Sequence, residues 1–222
     1  MRIPLSPAPT RAIAGLGLFG ATAGPAVDAV HNQVLLQYDA LPLAVGAIQT
    51  SWLVPPLLAI AYALLGWVFP TLLEGLIGRG GINVPAGSMP PRRRAAITVA
   101  STIAIIKASE VLTVSAVAPG ASVAILGAAC AVQWAALDGA WASLLLAVGA
   151  AMGGPLAELP LIGAGAWHYL PEAADYFPLA GLGLGPGSWA GLSSITGPCY
   201  FAVTTDAIAI GRWLGGESGR KK

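Results

Sequence analysis

Six stretches of the sequence, 11–30, 51–73, 95–117, 121–137, 142–162 and 192–214, run almost without charge. Each is close to the span of about 20 apolar residues that an α-helix needs to cross the hydrocarbon of a bilayer. Charged residues make up only 9% of the 222-residue chain, against about 25% in an ordinary soluble domain. With 56% apolar residues and a mean hydropathy of +0.74, the chain lacks the polar surface a soluble monomer needs, so its solvent is lipid. No sustained two-residue alternation points to a barrel, and helices satisfy their own backbone groups in hydrocarbon. The expected fold class is all-α: a multi-pass membrane protein, six transmembrane helices in one bundle, forming a single domain over 1–222.

Sidedness follows from counting cations. Of the 11 basic residues, Arg2 and Arg11 precede or open the first span, and Arg79, Arg92, Arg93 and Arg94 lie between the second and third. Arg212, Arg220, Lys221 and Lys222 end the chain, and only Lys107 stands apart. Segments 32–50 and 163–191 contain neither Lys nor Arg. With six spans the three basic segments share one face, which the positive-inside rule makes cytoplasmic, so both termini are expected there. Arg2, Arg11, the apolar run 13–19 and Ala21-Thr22-Ala23 also fit a cleavable targeting segment, whose removal would leave five spans. A net charge of +1 supplies no field for nucleic acid.

Polar residues inside the spans carry the functional signal. Lys107 and Glu110 are three apart, on one face of the third span. Each costs about 2.5–3.5 kcal/mol near the bilayer centre, whereas an aliphatic residue returns about 0.3–0.6. They either pair with each other or line a cavity. In the fourth span Gln133, Trp134 and Asp138 approach the cytoplasmic border, as interfacial anchors or as ligand contacts. The fifth carries Gly153-Gly154-Pro155, Glu158 and Pro160, a run expected to kink or unwind its helix and therefore to be central, unless the helix stops and leaves Glu158 in the outer loop. Asp206 in the sixth needs a partner from another helix, for which Lys107 competes with Glu110. Asp28 and His31 read most simply as interfacial.

Catalytic signatures are thin. His168, between Trp167 and Tyr169, has no nucleophile at a recognisable spacing, and Tyr38-Asp39 lacks the second aspartate motif of an intramembrane protease. The glycine-rich stretch 181–187 follows no strand and opens no nucleotide unit. Cys130 and Cys199 are too few for a zinc site and lie in apolar surroundings unlike a secreted disulfide framework. No internal repeat of the transporter kind stands out. Many Gly and Ala residues suit close helix packing in lipid.

Several short segments appear in a telling order. Trp52-Leu53-Val54-Pro55-Pro56 opens the second span, which closes on Phe69-Pro70 and Glu74. Lys107-Ala108-Ser109, Trp134 four before Asp138, and Tyr169 with Asp175-Tyr176 follow. Pro198-Cys199 with Phe201-Ala202, then Ile210-Gly211-Arg212 and Leu214, complete the series. Over roughly 50–214 the chain resembles the insulin-induced gene (Insig) family, as a relative of bacterial or algal type. That resemblance implies six helices with cytosolic termini and no enzymatic activity. Animal members reside in the endoplasmic reticulum, bind oxysterols, retain the Scap escort protein and promote degradation of HMG-CoA reductase. Bacterial relatives look like lipid binders with a diacylglycerol-sized cavity. Lys107 stands where the family has histidine, and Asp138 is followed by Gly139-Ala140-Trp141 rather than the animal arginine- and serine-rich loop that bears on Scap.

The expected function is therefore non-enzymatic: a sterol or diacylglycerol-like lipid held in an intramembrane cavity, with Lys107, Gln133, Trp134, Asp138, Glu158 and Asp206 as lipid-binding residues and no cofactor. Expected partners are the lipid, a membrane protein of lipid metabolism and further copies of the chain. The compartment implied by the resemblance is the endoplasmic reticulum membrane, or the plasma membrane in a bacterium. The alternatives are a lipid isomerase or hydrolase using Glu110, Glu158 or Asp206, and a small proton-coupled transporter.

Overall fold

The computed structural model describes residues 7–46 and 48–216. Six long helices form: α1 (Pro7–Leu35), α2 (Val54–Ile77), α3 (Pro91–Val114), α4 (Pro119–Leu137), α5 (Trp141–Gly163) and α6 (Thr196–Leu214). Prolines open α2, α3 and α4, where the missing N–H belongs to a position with no intrahelical partner. Gly139, at φ +71°, takes the left-handed turn that ends α4, its N–H returning to the Trp134 carbonyl.

The outer connections are not wholly irregular, which corrects the purely helical expectation. β1 (Leu36–Tyr38) pairs antiparallel with β4 (Trp167–Tyr169), and β2 (Pro42–Val45) with β3 (Ile48–Ser51). Backbone groups leaving the helices are satisfied between these segments instead of by water alone. β3 also takes the start of the expected second span, so α2 begins only at Val54.

Five helices, α1 to α5, are long and apolar enough to cross a membrane, and their outward faces carry Leu18, Leu72, Leu76, Val132 and Met152, all well exposed. The chain is thus an integral membrane protein. The sixth helix does not meet that criterion, and its position explains why. α6 packs against all five others, with twelve of its nineteen residues buried, so protein rather than lipid surrounds its Thr204, Thr205 and Asp206.

α5, where the prolines lead one to expect a kink or an unwound turn, does not unwind: it stays helical through both Pro155 and Pro160. Pro155 has no N–H for the Ala151 carbonyl, and Gly197 of α6 fits against that same oxygen, where an added Cβ would lie 3.0 Å away. α2 shows the same device. Pro70 leaves the Gly66 carbonyl without its i+4 donor, a π-helical turn at Leu64–Val68 precedes it, and Gly211 of α6 packs so closely that a Cβ there would come within 2.0 Å of the oxygen. Gly20 of α1 likewise lies over the Leu58 carbonyl of α2.

The start of α1 meets the end of α6, where Gly15 abuts Leu214. The turn between α2 and α3 bridges to that between α4 and α5 through Gly81 and Ala140. Arg11, Arg79, Arg92–Arg94 and Arg212 therefore gather at one end of the bundle, and the paired strands cover the other.

Candidate functional site

A cavity of about 310 Å³ lies between α1, α2, α5 and α6, beneath the strand-bearing end. Leu36, Leu57, Leu58, Ile106, Leu161 and Val203 contribute apolar wall. Among the described residues no Lys or Arg lines it, yet two carboxylates do.

Glu158 is the first, projecting from α5 three residues beyond Pro155 and 8% exposed. Its Oε1 accepts the Tyr200 hydroxyl at 2.8 Å, and its Oε2 accepts the Tyr169 hydroxyl at 2.8 Å and the Trp167 indole N–H at 3.2 Å. Strand alternation explains the pairing of β4 with this carboxyl: Trp167 and Tyr169 point into the bundle while His168, between them, faces out and meets Asp39 at 2.7 Å. Burial first, and then the Glu158 carboxylate, push the Tyr169 phenol well above its ordinary range, so it serves as a donor.

Asp28 is the second. One turn later on α1, Asn32 donates to its Oδ2 at 2.5 Å, and the Tyr38 hydroxyl of β1 donates at 3.2 Å. The Asp28 side chain keeps 31% of its surface open. His31, on the same helix face, places Nε2 3.9 Å from Asp28 Oδ1 and Nδ1 2.9 Å from Ser109 Oγ, with Cys199 Sγ at 3.6 Å. Asp28 and His31, read from sequence as interfacial, thus belong to the cavity wall.

Of the six residues expected from sequence, Glu158 lines this cavity. Asp206 is buried one layer behind, facing Tyr62 and Thr102 rather than Lys107, with Oδ1 making no hydrogen bond. Gln133 ties α4 to α3 through Ser101 Oγ at 2.8 Å and Thr102 Oγ1 at 2.9 Å. Trp134 gives its indole N–H to the Ala140 carbonyl at 3.0 Å and packs on Trp141, ring centroids 5.5 Å apart. Lys107 pairs with Glu110 at 2.5 Å and faces outward, 57% of its side chain exposed.

Asp138 stands at the arginine-bearing end, where Arg212 bonds it with one guanidinium nitrogen and Glu74 with the other, the latter at 2.7 Å. A second cavity of about 290 Å³ opens beside this cluster, lined by Arg94, Thr98, Asp138, Thr205 and Arg212 among others.

Sequence reasoning missed Asp28, His31, Tyr38, Trp167, Tyr169 and Tyr200. Trp167 and Tyr169 share a face by strand alternation, a pattern too short at three residues to stand out; the others depend on contacts between distant segments.

No family model matches this sequence, and no curated protein matches it. Two solved structures match over the whole length of both chains. MvINS, a mycobacterial Insig homolog from Mycobacterium vanbaalenii, superposes with a TM-score of 0.68 at 22% identity over 100% of each chain. A cross-linked trimer of an MvINS cysteine variant gives 0.68 at 23% identity, again over 100% of each. The chain accordingly has the fold of an Insig homolog.

Proposed function

We propose that this protein is a non-enzymatic, Insig-like lipid-binding membrane protein, holding one sterol or diacylglycerol-like molecule in the cavity among α1, α2, α5 and α6. The observation that carries the reading is the cavity itself: about 310 Å³, within the range of small-molecule sites, walled by aliphatic side chains and closed at one end by hydrogen-bonded carboxylates. The polar end of the lipid lies under Trp167 and Tyr169, and its chains leave past Leu57, which is part of the wall and 38% exposed. Glu158 contacts the ligand in this reading, while Gln133, Trp134, Asp138 and Asp206 hold the helices that frame it, and Lys107 acts at the lipid-facing surface.

All six helices then span the bilayer as one unit, with the arginine-bearing end and both termini cytoplasmic by the positive-inside rule. The membrane is that of the endoplasmic reticulum, or the plasma membrane in a bacterium. A lipid-dependent change in the outer helix faces would regulate a membrane-protein partner of lipid metabolism, and self-association is supported by the trimer reported for MvINS.

Native mass spectrometry of the purified protein tests this. Wild type is expected to carry one lipid per chain and to take up added sterol or diglyceride. Ala157→Trp, which fills the apolar part of the cavity, is expected to arrive empty. A wild-type protein that stays lipid-free across sterols and diglycerides would overturn the proposal.

A further inference from the structure

We propose that the polar end of this cavity is built for an ammonium group, so that its preferred ligand is an amine-bearing amphiphile of the long-chain base type. The inference rests on the reading of this cavity as a lipid site and changes the headgroup that the site prefers.

The argument begins with one proton. Ser109 Oγ donates to the Ile106 carbonyl at 2.7 Å, and a hydroxyl has a single hydrogen, so it meets His31 Nδ1 as an acceptor. Ser109 thus favours the tautomer with the proton on Nδ1, where Cys199 Sγ at 3.6 Å is a second, weak acceptor, and in that neutral ring Nε2 is a bare acceptor. That nitrogen belongs to a side chain only 5% exposed, lines the cavity, and makes no hydrogen bond among the described residues. Facing it at 3.9 Å is Asp28 Oδ1, a second acceptor, and no protein donor stands between them.

The hydroxyl, amide and indole donors of the wall are turned to partners within the protein, and the weakly donating Cys199 thiol lies against His31 Nδ1 at 3.6 Å. Asn32 spends both amide hydrogens, on Asp28 and on the Tyr38 oxygen, and Tyr38 spends its own on Asp28. Trp167, Tyr169 and Tyr200 all give theirs to Glu158. Thr196 donates to the Ser193 carbonyl at 2.6 Å, and Tyr62 faces the Asp206 carboxyl. Apart from that thiol, what remains open toward a ligand is acceptors, in a wall with two carboxyl groups and, among the described residues, no Lys or Arg.

A ligand hydroxyl brings one hydrogen and no charge, and so leaves either His31 Nε2 or Asp28 Oδ1 unpaired. A primary ammonium brings three hydrogens and one positive charge. Aromatic faces suit it further, since Tyr38 and Trp167 form an edge-to-face pair, centroids 6.2 Å apart, at the same end of the cavity.

The test compares hexadecylamine, 1-hexadecanol and 1,2-dioctanoylglycerol on the full-length protein, by native mass spectrometry and by competition for the site. Wild type is expected to bind the amine at least about tenfold more tightly than the alcohol, and Asp28→Asn to remove that preference. If the alcohol or the diglyceride binds wild type as tightly as the amine, the ammonium inference is wrong and the lipid reading survives. If none of the three binds, the ammonium inference falls, and whether wild type takes up an added sterol decides the lipid reading. Should Asp28→Asn not fold, the wild-type ranking decides on its own.

Discussion

Arg212 and Asp138, 74 residues apart in the chain, join in a buried ion pair that also holds Glu74, tying the ends of α2, α4 and α6 together. The side chains of Arg212 and Asp138 are 13% and 7% exposed. Removing the cation by Arg212→Ala leaves the Asp138 carboxylate without a counter-charge, whereas Glu74 still has Arg79 at 3.7 Å. The expected loss is about 3–5 kcal/mol, the usual consequence of breaking a buried pair from one side. Arg212→Lys recovers only part of it, because a point ammonium cannot reach both acids as the guanidinium fork does. The paired change Arg212→Met with Asp138→Leu is expected to be far milder than Arg212→Ala. Thermal denaturation midpoints in detergent measure all three.

The glycines of the helix contacts separate into two groups. A Cβ at Gly211 would stand 2.0 Å from the Gly66 oxygen, and one at Gly20 2.4 Å from the Leu58 oxygen, both backbone atoms that cannot turn aside. Gly211→Ala and Gly20→Ala therefore force helices apart and are expected to cost about 1–3 kcal/mol each. At Gly127 and Gly149 an added Cβ meets nothing within 4 Å. Alanine there gains helix propensity of up to about 1 kcal/mol. The sign of the shift in denaturation midpoint distinguishes the two groups.

The helices were legible because bilayer thickness imposes a minimum length of apolar residues; of the basic residues counted for sidedness, Arg2, Arg220, Lys221 and Lys222 lie outside the described residues. The Trp134-to-Asp138 spacing and the Gly211-Arg212 step were visible too, yet nothing local says that Asp138 and Arg212 meet. The cavity was harder to see for the same reason. His31 finds Ser109 at a separation of 78 residues and Cys199 at 168, so from sequence it looks like a polar residue near a helix end. β4 is three residues long, too short for its alternation to stand out in an apolar chain. The low hydropathy of α6 reflects its surroundings: a helix enclosed by five others carries the polar residues that lipid would reject.

Lys107 bears on where the ligand is met. Its ammonium bonds Glu110 on the outer face of α3 and lines neither cavity. Replacing both residues, Lys107→Leu with Glu110→Leu, removes the pair without stranding a charge. It is expected to leave lipid occupancy within about twofold of wild type and stability unchanged or improved. Lys107→Leu alone strands Glu110 and is expected to lower stability. Lipid occupancy by mass spectrometry, read beside the denaturation midpoint, tells a ligand contact from a surface pair: a loss of occupancy in the double variant would place Lys107 in binding.

The Glu158 network makes the most discriminating test of the site. Tyr200 is the donor to Oε1, while Oε2 has two, so Tyr200→Phe is expected to cost about 1.5–3 kcal/mol and Tyr169→Phe less. Glu158→Gln retains an acceptor: the amide oxygen takes Trp167, whose indole can only donate, and the amide nitrogen faces Tyr200, whose hydroxyl reverses to accept. Glu158→Leu leaves the buried Trp167 and Tyr169 donors without an acceptor, and is expected to be the most destabilising of the four. Alkaline titration adds an independent check. Tyr169 is held protonated above its ordinary range, so its contribution is complete below about pH 10, where a tyrosine in the unfolded chain begins to ionise. Above that point the unfolded state loses the proton first, and stability falls as pH rises. Tyr169→Phe is expected to flatten that alkaline decline, as read from denaturation midpoints between pH 9 and pH 11.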